Sequence, residues 1–219
     1  MTRLDETQRL LLLAVIGRDA HAVRAWREWR DLTDLEELDR DSQWLLPALD
    51  QNLRRLGVPG DSLARYHNVY RHNWYKNHLA LHRAAGAIRD LRGRGPVVIS
   101  GGAAMAMAHY ETIGERPFQG VDILQGAEVP EWHRVPLEWR SLRASAPEPV
   151  DQLVEICTRR EEWDELSGLL WLVDAAALLR RPAVRWSRVE ARAEALGGAD
   201  AIGPARQALD QALFEGAIG

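Results

Sequence analysis

An apolar run, a serine–glycine–glycine turn, a small-residue segment and a second apolar run follow one another over residues 97–125. This order predicts a strand, a turn over Ser100, Gly101 and Gly102, a helix, and a second strand that carries Asp122. The first N–H groups of a helix have no partner inside the helix, so such a turn is suited to bind an anion. An acid on the neighbouring strand would lie beside that anion, where a metal ion could bridge the two.

Helical patterns lie on both sides of this unit. Leucine-rich patterns occupy residues 5–57, and bulky residues spaced three and four apart predict one long helix over residues 63–91. A further strand is predicted over residues 134–142, and Pro136 would confine it to a sheet edge or lie at the start of the strand, because proline has no N–H to donate. The remainder of the chain is again helical in pattern.

These patterns predict an α+β fold that is helix-rich, with a small mixed sheet flanked by N-terminal and C-terminal helical segments. We expect an N-terminal helical region at residues 1–95 that ends in the long helix. A reduced sheet core follows at residues 96–145, and a C-terminal helical region occupies residues 146–219. All three are expected to pack as one compact unit.

Composition excludes several classes of protein. The 219 residues carry a formal net charge of −4, which argues against a nucleic-acid grip over the whole surface, so no extended nucleic-acid surface is expected. A single cysteine, Cys157, rules out a disulfide framework. The apolar run near the N-terminus is too short to span a bilayer, so a cytoplasmic protein without membrane contact is expected.

Five segments, taken in order, resemble the polymerase β-like nucleotidyltransferase superfamily, and within it a bacterial group of uncharacterised nucleotidyltransferases. That group's glycine turn and its Arg-Pro-x-x-Asp-x-Asp strand are similar to SGGAAMAMAHY and GERPFQGVDIL. Its helical lead-in is similar to WLLPALDQNLRRLG and YRHNWYKNHLAL. The strand that carries its third acid is similar to VPLEWRSL. Its C-terminal helices are similar to WLVDAAALL and VRWSRVEARAEALGG. The resemblance covers nearly the whole chain and implies a sheet of nucleotidyltransferase type.

Three departures from the family pattern fall on the positions that carry its chemistry. The resemblance implies two acids on one strand face that hold Mg²⁺ and a third acid that activates the attacking hydroxyl. Here Gly120 stands in place of the first acid and only Asp122 remains. Ser100 stands where the group commonly has a basic residue, and Pro136 where the third acid belongs, although Glu138 lies two residues further on the same strand face.

The first functional hypothesis is therefore a pseudoenzyme with the nucleotidyltransferase fold that acts as a binding or partner protein. A residual pocket for a nucleotide or another anionic small molecule would be formed by Ser100, Gly101, Gly102 and Arg116, and a protein partner is also compatible with it. Two structural alternatives stay open. The glycines would only let helix and strand pack closely, and Arg116 would pin its loop through hydrogen bonds.

The alternative hypothesis is an active enzyme that uses the same pocket. It would carry out metal-dependent nucleotidyl transfer, or acid/base chemistry on a small metabolite. Asp122 and Glu138 are the candidate catalytic residues, with Glu115 as a further candidate to assist. If the chain is catalytic, Mg²⁺ is the expected cofactor and Asp122 its candidate ligand.

Three histidines have plain structural explanations. His78 and His82 are four apart on the long helix, which is a metal-ligand spacing, but no third ligand follows nearby, so ordinary surface histidines are preferred. His109 ends the small-residue helix, where a cation interacts favourably with the helix dipole.

A helical interaction module, with the resemblance marking only the fold, is a third and weaker interpretation.

Overall fold

Helices dominate the structure, and a four-stranded mixed sheet accompanies them. The computed structural model describes residues 4–159 and 168–214. Within these ranges the helices are α1 (Glu6–Ile16), α2 (Ala20–Leu32), α3 (Arg40–Arg55), α4 (Ala64–Arg92), α5 (Gly101–Ala108), α6 (Pro149–Thr158), α7 (Leu170–Leu179), α8 (Trp186–Ala195) and α9 (Ala199–Phe214). The strands are β1 (Val97–Ser100), β2 (Asp122–Gln125), β3 (Arg134–Trp139) and β4 (Leu142–Pro147). The helix-rich α+β class predicted from the sequence is therefore confirmed.

The strand order in the sheet is β2-β1-β4-β3. Strand β1 pairs antiparallel with β2, so that Ser100 lies opposite Asp122, and pairs parallel with β4 through Val98 and Ser145. Strand β3 lies at the edge, which suits the missing N–H of Pro136. The central β1 thus ends where α5 begins, and its antiparallel neighbour starts at the same end of the sheet.

A hairpin replaces the single strand predicted over residues 134–142. Strands β3 and β4 pair antiparallel, with Trp139 opposite Leu142. Arg140 in the tight turn between them has a φ of 51°, a left-handed conformation that arginine adopts infrequently. The sequence here lacks the glycine or asparagine that usually marks such a turn, which is why the pattern alone indicated one strand.

The N-terminal and C-terminal helices share one hydrophobic core. Leu11, Trp29 and Leu49 from the first three helices belong to the same cluster of buried residues as Leu172 of α7 and Leu209 of α9. A second cluster of buried residues lies between the sheet, α4 and α5. The two helical regions therefore bury much of their apolar surface against each other.

The predicted long helix is present as α4, with 29 residues. Two asparagines on its buried side hold the loop that follows α5. Asn73 Nδ2 donates to Gly114 O at 2.8 Å, and Asn77 Nδ2 donates to Arg116 O at 2.9 Å. Despite the length of α4, no helix among the described residues combines the length and apolar character needed to cross a bilayer.

A buried ion pair joins the same loop to α7. Arg116 and Asp174 are both fully buried, with Arg116 Nη2 at 2.7 Å and Nε at 3.1 Å from Asp174 Oδ2. Tyr110 Oη donates to Asp174 Oδ1 at 2.6 Å. A Cβ on Gly102 would overlap the Arg116 guanidinium, so glycine at this position leaves room for the ion pair.

Removal of one partner from this pair is expected to destabilise the protein strongly. Arg116→Met leaves the buried Asp174 carboxylate without its cation, and we expect a loss of about 3–5 kcal/mol in the free energy of unfolding, measured with urea. Arg143→Met is the matched control, because its ion pair with Glu138 is exposed and is worth about 1 kcal/mol or less. Equal losses in the two variants would contradict this assignment.

Candidate functional site

Strand pairing brings Asp122 to the serine–glycine–glycine turn. Ser100 ends β1 opposite Asp122, and Gly101 opens α5 with a φ of 62°. A Cβ on Gly101 would overlap the Asp122 carboxylate, so this position requires glycine both for its backbone conformation and for space. Asp122 is exposed, whereas Ser100 is buried and its Oγ has no hydrogen-bond partner within the described ranges. The predicted juxtaposition of Ser100, Gly101 and Asp122 is observed.

A second acid, Glu155 of α6, reaches the same turn. Its side chain is almost fully buried, and burial raises the pKa of the carboxyl group to about 7. The charge of Asp122 also raises this pKa, while Arg159 and a hydrogen bond from the Gly101 N–H lower it. Arg159 Nη1 lies 3.2 Å from Glu155 Oε1, and Oε2 has no hydrogen-bond partner among the described residues. Asp122 and Glu155 thus form a carboxyl pair at the start of α5.

Sequence reasoning missed Glu155, although a signal was present. The α6 segment PVDQLVEICT is apolar apart from a few polar residues, and every residue from Val150 to Cys157 is buried. An acid inside a helix with no exposed face must find a polar environment or bind a proton. The sequence does not say which other element supplies that environment, because α6 lies some fifty residues after the turn.

The two carboxyl groups occupy the position that a bound phosphate would need. The Gly101 N–H is the first of α5 and lies close enough to Glu155 to lower the pKa of its carboxyl group, and the Asp122 carboxylate lies against Gly101. An incoming anion would therefore meet the negative charge of Asp122 at this helix N-terminus. These contacts favour a cation or a hydrogen-bond donor at the turn over an anion.

Arg116 does not face the turn as a free cation. The Arg116–Asp174 pair and a hydrogen bond from Arg116 Nη1 to Pro117 O at 2.5 Å keep the guanidinium inside the protein. Gly102 lies against it rather than against open space. The contacts therefore favour the structural alternative, in which Arg116 pins its loop and Gly102 provides room.

The structure does not bring Glu138 to Asp122. Glu138 lies opposite Arg143 in the β3–β4 hairpin and forms an exposed ion pair with it at 3.1 Å. The register places this pair at the end of the sheet away from Ser100, roughly four residues or 13 Å further along the strands. Glu138 is therefore not placed to act together with Asp122.

Gly120 has room for a side chain. It is exposed, and a Cβ built there would meet no atom within 4 Å. The missing first acid is therefore not excluded by packing. Its absence leaves Asp122 without a neighbouring carboxylate from its own chain segment.

The remaining acidic and histidine candidates have structural partners. Glu115 is buried, forms an ion pair with Arg55 and accepts the Thr112 N–H at 2.8 Å. His78 packs against the Trp74 ring, with 3.7 Å between ring centroids, while His82 is exposed. These contacts agree with ordinary structural roles for both histidines.

Among the described residues, one cluster has metal-ligand geometry, with candidate ligand atoms of His133, Glu148 and Asp151 within 4.8 Å of one another. The buried Asp151 already accepts the His133 N–H at 2.7 Å and forms an ion pair with Arg192. The guanidinium occupies the role that a metal ion would otherwise fill, so this cluster is explained within the fold.

His109 is neutral, contrary to the cationic helix end predicted from the sequence. Burial and the charge of Arg181 lower its pKa to about 4, although a hydrogen bond with Gln152 Oε1 opposes this. Gln152 lies one turn before Glu155 on α6. The interface between α5 and α6 therefore holds two titratable groups whose neutral forms the fold favours.

Glu155 is expected to make folding stability fall as pH rises from about 4.5 to about 7. The folded state keeps a proton that the unfolded state has released, so this stabilisation is complete below pH 4.5 and lost above pH 7. Between these pH values the free energy of unfolding of the wild-type chain should fall by at most about 3 kcal/mol relative to that of Glu155→Gln. Urea unfolding at about pH 5 and about pH 7.5 measures the difference.

The lowered pKa of His109 has the opposite sign and stabilises the fold as pH rises from about 4 to about 6.5. Because both chains contain His109, its effect cancels in the comparison. Glu128→Gln removes one exposed acid and serves as the matched control. Parallel stability profiles for wild type and Glu155→Gln would refute a buried proton on Glu155.

No family model, curated protein or solved structure matches this chain. The resemblance to nucleotidyltransferases therefore stays a prediction from the motifs.

Proposed function

We propose that this chain is a divergent protein with the nucleotidyltransferase fold, which has lost metal-assisted nucleotidyl transfer and acts as a binding or partner protein. The Asp122 carboxylate, which lies against Gly101 at the start of α5 with Glu155 close by, is the observation that carries this proposal. Asp122 supplies from within the chain the negative group that a nucleotide phosphate would otherwise supply. A ligand at this turn must then offer hydrogen-bond donors or positive charge.

The residues at the turn do not fit the two-acid Mg²⁺ site that the resemblance implies. Mg²⁺ requires near-octahedral oxygen ligands and usually takes one or two carboxylates together with substrate phosphates. Gly120 contributes no side-chain oxygen, and Glu138 lies at the other end of the sheet. Glu155 is buried with a pKa of about 7, so its proton competes with a metal at neutral pH.

A second candidate function is acid/base chemistry on a small metabolite. The observation in its favour is that Glu155 lies near the exposed Asp122 and has a pKa of about 7. A group with such a pKa exchanges protons readily at pH 7, and perturbed carboxyl groups cluster at functional sites. Glu155 would then transfer the proton and Asp122 would orient the substrate.

Nucleoside triphosphates at millimolar concentration, with and without Mg²⁺, are expected to leave the thermal unfolding midpoint of the wild-type protein unchanged. A ligand that binds only the folded state must raise stability, by about 2.7 kcal/mol at one hundred times its Kd. Nucleotidyl transfer should be negligible, and Asp122→Asn should not alter it. Differential scanning fluorimetry and a radiolabelled transfer assay measure the two quantities.

Three variants separate the possible outcomes. Gly120→Asp restores the missing carboxylate at a position with open space, so stabilisation by Mg²⁺ and nucleotide in this variant alone would attribute the loss to that residue. Mg²⁺-dependent transfer by the wild-type protein that Asp122→Asn abolishes would overturn the proposal. Metal-independent turnover of a metabolite that Glu155→Gln abolishes would instead favour the acid/base enzyme.

A further inference from the structure

Positive charge is concentrated on α4 in a chain whose formal net charge is −4. The helix has a single acid, Asp90. Its basic residues, all exposed, are Arg65, Arg71, Lys76, Arg83, Arg89 and Arg92. None of the six forms an ion pair within residues 4–159 and 168–214. We call this set the basic face of α4.

Helix geometry places five of these six cations on one side. The buried residues of α4, which include Asn77, Leu81 and Ile88, face the rest of the protein. At 100° per residue, five of the six cations cover an arc of roughly 140° on the opposite side, and Arg92 at the end of the helix lies roughly 60° outside it. A rise of 1.5 Å per residue gives the basic face a length of roughly 40 Å from the first cation to the last. The result is a long positive stripe on the exposed side of α4.

Exposed aromatic rings accompany the stripe. Tyr75 is 62% exposed and Trp74 is 39% exposed. Beside them a row of stacked groups runs from α4 to the β3–β4 hairpin. The His78 ring lies 3.7 Å from Trp74 and 5.2 Å from Trp139, measured between centroids, and the Arg140 guanidinium lies 5.1 Å from the Trp139 ring. Burial lowers the pKa of His78, so this row presents neutral rings next to cations at neutral pH.

We propose that the basic face of α4, together with Tyr75 and the Trp74–His78–Trp139 row, binds single-stranded nucleic acid. Unneutralised cations along a helix bind a phosphate backbone, and exposed rings stack on unpaired bases. In a duplex the bases are stacked on one another, so the rings would add little there. An acidic protein surface needs the cations but not the rings. The surface is separate from the Ser100–Asp122 turn and does not depend on the function proposed for that turn.

The expectation of no extended nucleic-acid surface came from the average charge of the chain. That average conceals an uneven distribution, since α4 carries six cations against one acid while acidic residues predominate elsewhere. Electrostatic attraction at the surface of a protein depends on charges within about one Debye length, roughly 8 Å at physiological salt. A net charge of −4 therefore does not prevent α4 from attracting a polyanion.

Fluorescence anisotropy with labelled oligo-dT and oligo-U of about 16 nucleotides tests this proposal. The titrations are repeated between about 50 and 200 mM salt, with a duplex of equal length and a poly-glutamate peptide as comparison probes. We expect both single strands to bind more tightly than the duplex or the peptide. The logarithm of the association constant should fall linearly with the logarithm of the salt concentration.

Two variants divide the charge contribution from the stacking contribution. Arg71→Gln with Arg83→Gln should reduce the salt slope by roughly 1.4, because each phosphate contact on a single strand contributes about 0.7. Tyr75→Ala should weaken binding about fivefold or more with little change in the slope. Arg27→Gln with Arg40→Gln removes two exposed arginines outside α4 and should leave binding unchanged.

Absence of single-strand binding at low salt would overturn the proposal. So would equal weakening by the α4 variant and by the control variant outside α4. Binding of poly-glutamate as tight as that of the oligonucleotides, with no effect of Tyr75→Ala, would assign the basic face to an acidic protein partner instead. All substituted residues are exposed, so circular dichroism is sufficient to verify that each variant is folded.

Discussion

The buried Arg116–Asp174 ion pair is the interaction on which the centre of this structure depends. It joins the loop after α5 to α7, and two asparagines of α4 hold the same loop from the other side. Gly102 has no side chain because the guanidinium lies against it. A buried charge without its counter-ion is strongly destabilising. The pair therefore fixes the relative positions of α5, α7 and the loop that leads into β2. The turn at Ser100 takes its shape within that frame.

Local pattern was sufficient to predict the elements that carry strong periodicity. The three- and four-residue spacing gave α4, and the apolar runs on either side of the glycines gave β1 and β2. The β3–β4 hairpin was not predictable in this way, because Arg140 adopts a left-handed conformation without the residues that usually signal it. The position of Asp122 beside the turn was predictable because neighbouring strands of similar length often pair.

The position of Glu155 beside Asp122 was not predictable, because local spacing in the sequence does not report contacts between distant segments. Glu155 lies in a helix that looks like ordinary core in sequence, and its environment comes from β2 and α5. For Glu138 the sequence predicted a site position that the structure does not show. Glu138 lies on the same strand face as Pro136, where the family has an acid, but the hairpin register places it at the far end of the sheet from Asp122. Average charge likewise does not report how cations are distributed along α4.

The shared core of the first and last helices has a consequence for the order in which the chain folds. Helices α1 to α3 bury Leu11, Trp29 and Leu49 in a cluster that is completed by α7 and α9, more than one hundred residues later. Strand β1 likewise takes a parallel neighbour that lies beyond β2 and β3 in the chain. During synthesis the early helices therefore keep apolar surface exposed until the late helices have been made. Chaperones that bind apolar surface are most useful in this period.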